Sequence, residues 1–153
     1  MISAAINRVE PTPHFELRAV PTAEVREHWP MVQRGVETIL TKLRGTYDLL
    51  PEEVFVFLMR SMAFLYLAIL DGKIEGWVIL RVQKDEFTNK PITLIWLGES
   101  ESTEAKELAI KEVEEKARDI GHFKVRMMGR MGWEKRPPEG WKVVTVILEK
   151  ELV

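Results

Sequence analysis

From residue 15 the chain alternates apolar and polar positions, with Phe15, Leu17 and Ala19 separated by Glu16 and Arg18. A period of two sends successive side chains to opposite faces and predicts a short strand ending at Pro21. Thr22 follows as the cap of a helical turn, with Glu24 near its positive end. The period then lengthens. Val32, Val36, Ile39, Leu40 and Leu43 recur at helical spacing, with Pro30 suited to a first turn and Gly45 to a stop. Pro51-Glu52-Glu53 opens a second helix that turns Val54, Phe57 and Leu58 inward and ends near Ser61.

The pattern changes again at Phe64. An apolar run to Leu70 meets Asp71-Gly72, a hairpin signal because glycine tolerates positive φ. Ile74 to Val82 returns as the partner strand, and a polar loop from Gln83 to Lys90 leads into a third strand, Ile92 to Leu97. These three predict an antiparallel meander. The longest helical pattern follows, from about Ser102 to Ile120, with Leu108, Ile110, Val113, Ala117 and Ile120 as its apolar stripe and Gly121 as its end. Phe123, Val125 and Met127 alternate with Lys124, Arg126 and Met128, predicting a strand parallel to the one before the helix through a right-handed crossover. A Gly- and Pro-rich connector, Gly129 to Gly140, precedes a last predicted strand, Trp141 to Leu148.

These elements imply one α/β (mixed α+β) domain over residues 15–153, a central and mostly antiparallel sheet flanked by helices. Residues 1–14, polar and carrying Pro11 and Pro13, read as an extended arm. A length of 153 residues fits one core. Charged residues at 30% and a formal net charge of -2 give no general attraction to nucleic acid or an anionic membrane. The absence of cysteine excludes zinc-thiolate sites, redox pairs and thiol nucleophiles. The amino-terminal sequence has neither the basic flank nor the apolar run of a signal peptide or anchor, so synthesis in a host cytoplasm without secretion is expected. His14, His28 and His122 lack metal-ligand spacing, and no metal site is expected.

The order strand, helix, helix, three strands, helix, strand, connector, strand resembles the GCN5-related N-acetyltransferase fold across residues 15 to 150. Asp71-Gly72 followed by Ile74-Glu75-Gly76-Trp77-Val78 is similar to that family's second and third strands. Gly129-Arg130-Met131-Gly132-Trp133 is similar to the segment after its fifth strand, and Glu139-Gly140-Trp141 to the turn into the next. The family's cofactor loop, [RQ]-x-x-G-x-[GA], is absent. The equivalent segment reads Gly98-Glu99-Ser100-Glu101-Ser102-Thr103-Glu104, with one glycine, no arginine or glutamine and three glutamates. Like charges ~5 Å apart repel by roughly 1–3 kcal/mol at surface dielectric, so this loop opposes a pyrophosphate. The same acids suit the amino terminus of the following helix. The resemblance also implies a tyrosine acid beyond the fifth strand, but the two tyrosines, Tyr47 and Tyr66, come earlier, and the indole of Trp133 is no acid.

The resemblance therefore implies two functions. In the first the chain is a non-enzymatic structural or interaction protein on an acetyltransferase-like scaffold, with no catalytic residue and no cofactor. Gly129–Trp133 and the terminal Leu148-Glu-Lys-Glu-Leu resemble small acetyltransferase-like proteins among bacteriophage structural and morphogenesis genes, which implies a virion-associated role in the head, tail or interior. Partners would be other virion proteins or a second copy. Lys124, Arg126, Arg130, Lys135 and Arg136, flanked by Trp133 and Trp141, are the interface candidates, and the acidic net charge favours protein over nucleic acid there. In the second the chain is an acetyl-CoA-dependent N-acetyltransferase. Leu97, Gly98, Ser100, Ser102 and Thr103 would then hold the cofactor, and Glu99 would act as general base.

Overall fold

The computed structural model describes residues 14–43, 48–128, 139–144 and 148–152. Its frame is a five-stranded sheet in sequence order, built from β1 (Phe15–Ala19), β2 (Phe64–Leu70), β3 (Lys73–Lys84), β4 (Pro91–Ser100) and β5 (Val125–Met127). The first three pairings are antiparallel, and β5 lies parallel to β4. The hairpin between β2 and β3 forms at the predicted dipeptide, where Asp71 takes φ 50° and Gly72 φ 80°. Asp71 also fixes the start of β1: its backbone N–H donates to the His14 carbonyl at 2.8 Å, and its carboxylate accepts from the His14 N–H at 2.9 Å.

Helices α1 (Val25–Lys42) and α2 (Pro51–Met59) cover one face of the sheet, and α3 (Thr103–Asp119) covers the other. Under α1 and α2 lie Leu65, Leu67, Ile69, Trp77, Ile79 and Leu97. Under α3 lie Leu17, Ala68, Val78, Leu80 and Ile95, packed on Val113. The period-two alternation of the strands thus supplies two cores, one per face.

One expectation about the helices is corrected. The first helix begins at Val25, five residues before Pro30, because a 3-10 turn over Thr22–Glu24 runs directly into it and Val25 is buried in the core. Pro30 sits inside α1 and forfeits only one backbone bond there. Gly35, at mid-helix, is a packing device. A Cβ there would lie 2.6 Å from Cζ2 of Trp77, so a bare backbone is what lets α1 rest on that ring.

The predicted last strand is also corrected. Trp141–Val144 and Leu148 belong to no strand, and Thr145–Ile147 lie outside the described residues. Alternating apolar residues make a strand only in a ladder. Here Trp141 is drawn onto α3, packing on that core and donating from Nε1 to Oε1 of Glu114 at 3.2 Å. The amino-terminal arm lies outside the described residues up to Pro13.

Candidate functional site: the open end of strand β4

β4 is longer than the sequence pattern predicts, and its two halves differ. β5 pairs only with Thr93, Leu94 and Ile95, whereas β3 accompanies β4 up to Ser100. Between Ile95 and Leu97 the β3–β4 register shifts, leaving Trp96 without a cross-strand partner. This bulge puts Trp96 and Leu97 together on the α1–α2 side and bends the strand. Trp96 is held by Phe57 of α2, ring centroids 5.4 Å apart, and by the Arg81 guanidinium 4.8 Å from its ring. Gly76 permits the close approach of β3 here, since a Cβ would overlap the Glu99 carbonyl oxygen. Beyond Ile95, the edge of β4 away from β3 has no strand beside it among the described residues.

A cavity of about 450 Å³ opens against this edge, between β4, α3, the end of α1 and the end of β5. Trp77 and Trp96, Ile110 and Val113 of α3, and Met127 and Met128 give it an apolar wall. Gly98, Glu99 and Ser100 form its rim along the strand, and Lys42 and Lys106 also line it. Trp77 is 2% exposed, and its Nε1 has no hydrogen-bond partner. A buried donor left unpaired costs about 1–3 kcal/mol, and Nε of Arg81, outside the cavity lining, is the other such group among the described residues. The volume falls in the range of small-molecule clefts.

The connection from β4 to α3 decides what the cleft can hold. Glu101 and Ser102 alone separate the two elements. The Glu101 N–H donates to the Glu75 carbonyl at 2.8 Å, and the Ser102 N–H to Oγ of Ser100 at 3.4 Å. Ser102 caps α3, its Oγ accepting from the Ala105 N–H at 3.1 Å. Glu99, Glu101 and Glu104 are exposed on this connection, and among the described residues none makes an ion pair. A pyrophosphate needs consecutive free N–H groups and positive potential. Here both connecting amides are already bonded, and the nearby side chains are carboxylates. The two connecting residues, Glu101 and Ser102, do not fit the diphosphate of a coenzyme A.

The sequence-predicted cofactor residues divide between the cavity and the start of α3. Leu97, Gly98 and Ser100 line the cavity with Glu99, while Ser102 and Thr103 start α3. Of the interface candidates, Lys124 and Arg126 are engaged within the chain. Their side chains approach Oδ2 of Asp85 at 3.5 and 3.3 Å, and Arg126 also bonds Glu86 at 2.9 Å. Asp85 is 4% exposed and accepts from the N–H groups of Phe87 and Thr88 at 2.9 and 3.0 Å. Chiefly through those two amides, with Lys124 adding to them, its carboxyl is lowered to about 2. Arg130, Trp133, Lys135 and Arg136 lie outside the described residues, as does Tyr47. Tyr66 stands on β2 away from the cavity, its phenol pushed up by burial and its ring 5.6 Å from Nζ of Lys116. His122 bonds Oγ1 of Thr93 through Nδ1 at 2.8 Å. Among the described residues no group of three or more His, Asp or Glu could hold a metal ion.

Lys42, Lys106, Trp77 and Trp96 were not singled out as site residues from sequence. A glycine at position 35 inside a helical pattern was the available signal for Trp77, because such glycines mark close packing. Nothing local marks Trp96 as a bulge.

A five-stranded mixed sheet with α1 and α2 on one face, α3 on the other and a strand pair parted at one end is the GCN5-related N-acetyltransferase fold. No protein-family model and no curated protein matches the chain by sequence. Solved structures match it throughout. An acetyltransferase described as putative, from Pyrococcus furiosus, superposes with TM-score 0.61 at 17% identity, over 91% of this chain and 100% of that one. The ribosomal-protein-alanine N-acetyltransferase of Brucella melitensis biovar Abortus 2308 gives 0.62 at 12% identity, over 92% and 99%. An aminoglycoside acetyltransferase from an uncultured soil metagenomic sample, in complex with sisomicin, gives 0.60 at 13% identity, over 90% and 97%. At such identities the likeness establishes the fold. No helix among the described residues is long and apolar enough to cross a membrane.

Proposed function

We propose that this chain is a non-enzymatic interaction protein on an acetyltransferase-like scaffold, a component associated with a bacteriophage virion. The observation that carries the non-enzymatic reading is the two-residue connection between β4 and α3. Its amides bond to Glu75 and Ser100, and glutamates surround it. Both connecting amides are thus taken, and the side chains beside them bring negative charge where a diphosphate would have to sit. The placement in a virion rests on the resemblance carried by Gly129–Trp133 and Leu148–Leu152. Calorimetric titration with acetyl-CoA tests the first part: no binding at millimolar cofactor is expected, and micromolar binding would overturn it. Quantitative mass spectrometry of purified particles tests the second, a fixed copy number being expected and absence from the particle refuting it.

A second reading, an acetyl-CoA-dependent N-acetyltransferase with an atypical loop, is favoured by one observation. The cavity is open, carries Lys42 and Lys106, and has Glu99 on its rim as a candidate base. Acetyl transfer to an amine acceptor, lost in Glu99→Gln, would establish it.

A further inference from the structure

The free stretch of β4 is an unusual surface for a folded domain. After the bulge at Trp96 the strand stays paired with β3 over Leu97–Ser100, yet its other edge has no partner among the described residues. Gly98 in this stretch is exposed. Glycine has no side chain, so its exposure is exposure of backbone. Unpaired strand edges are templates for another strand, and proteins normally cover or charge them. Here no described residue pairs with the edge, which runs beside an apolar cavity of about 450 Å³.

An apolar ligand that displaced water from this edge would leave backbone N–H and C=O groups unpaired. A polypeptide strand supplies the matching groups. Five residues at roughly 3.4 Å each make an edge of about 17 Å, enough for one short extended segment. The chemistry of the surroundings sorts its side chains. Trp77, Trp96 and Met127 call for an apolar residue in the cavity, and Lys42 on the same wall disfavours a basic one there. Glu99, Glu101 and Glu104, exposed and without ion pairs among the described residues, call for lysine or arginine at the α3 end.

We infer that this cleft takes an extended segment of a protein partner, added as a strand to the Trp96–Ser100 edge, with an apolar side chain in the cavity and a basic one against the three glutamates. The inference rests on the reading that the cleft is not a coenzyme site, and it names the partner chemistry for that cleft.

Selection from a random peptide display library against the full chain tests it, followed by hydrogen exchange with the best synthetic peptide. Enriched peptides should pair an apolar residue with lysine or arginine in a proline-free stretch. They should slow exchange of amides within Trp96–Ser100 at least about tenfold, a protection that strand pairing confers. Backbone N-methylation of the peptide should abolish binding, and the triple variant Glu99→Lys, Glu101→Lys, Glu104→Lys should weaken it about tenfold or more. No enrichment, protection elsewhere, or indifference to N-methylation would overturn the inference. Acetyl-CoA in a separate arm distinguishes the two levels. Its binding overturns the non-enzymatic reading, whereas failure of both ligands overturns the strand alone.

Discussion

The two halves of β4 are ten consecutive residues with opposite surroundings. From Pro91 to Ile95 the strand has β3 on one side, with β5 on the other over Thr93–Ile95, and Ile92 and Leu94 are 2% and 1% exposed. From Leu97 to Ser100 it pairs, among the described residues, with β3 alone, and Gly98 and Glu99 face solvent. The first half shares in the core; the second shapes a cleft. The difference begins at one extra residue, Trp96, and is maintained at the opposite end by Asp85, which ties the β3–β4 loop to Lys124 and Arg126 around β5. One strand can thus be stabilising and available for binding, provided the boundary between the roles is fixed.

The largest expected effect lies in the closed half. Leu94→Ala should destabilise the fold by about 2–5 kcal/mol, the range for emptying a buried leucine site, as read by chemical denaturation. A cost below about 1 kcal/mol would mean that the two halves are equally loose. Next comes the tether. Asp85→Asn should lower the melting temperature at pH 7 by several degrees and speed amide exchange in β5. Because the folded carboxyl lies below its ordinary value of 3.8, its stabilisation is present above that pH and fades toward about 2. The gap between wild type and variant should therefore close as pH falls from about 4 toward 2, and a gap independent of pH would assign the effect to packing.

Ser102→Ala removes the cap of α3 and should cost about 1 kcal/mol, measured by the same denaturation. If the open end is already loosely ordered, the loss will be smaller. The smallest effect belongs to Glu99→Gln, which should change stability by less than about 0.5 kcal/mol, as exposed positions do. A larger loss would show that Glu99 holds the rim together.

The meander was legible because its signals are local. The Asp71-Gly72 turn, the alternation of β1 and the stripe of α3 specify their elements from neighbouring residues, and all three form within one or two residues of the expected place. The candidate site was less legible. The acidic character of the β4–α3 connection was readable from its glutamates, but that the Glu101 amide reaches the Glu75 carbonyl was not, since 26 positions of sequence separate them. The cavity wall draws on α1, β3, β4, α3 and β5 together, so no single segment announces it. The C-terminal segment shows the opposite failure, a strand pattern at Trp141–Val144 without a ladder to join.

The sequence by itself determined the order and type of the elements, the two-faced sheet and the acidic character of the β4–α3 connection. Each depends on residue type at short spacing, which propensity and periodicity carry. Only the tertiary structure decided where β5 stops accompanying β4, that Trp77 rests on Gly35, and that the far end of β4 borders a cavity. Those depend on register and on contacts between residues far apart in the chain, and a pattern along one segment holds no record of what will lie beside it.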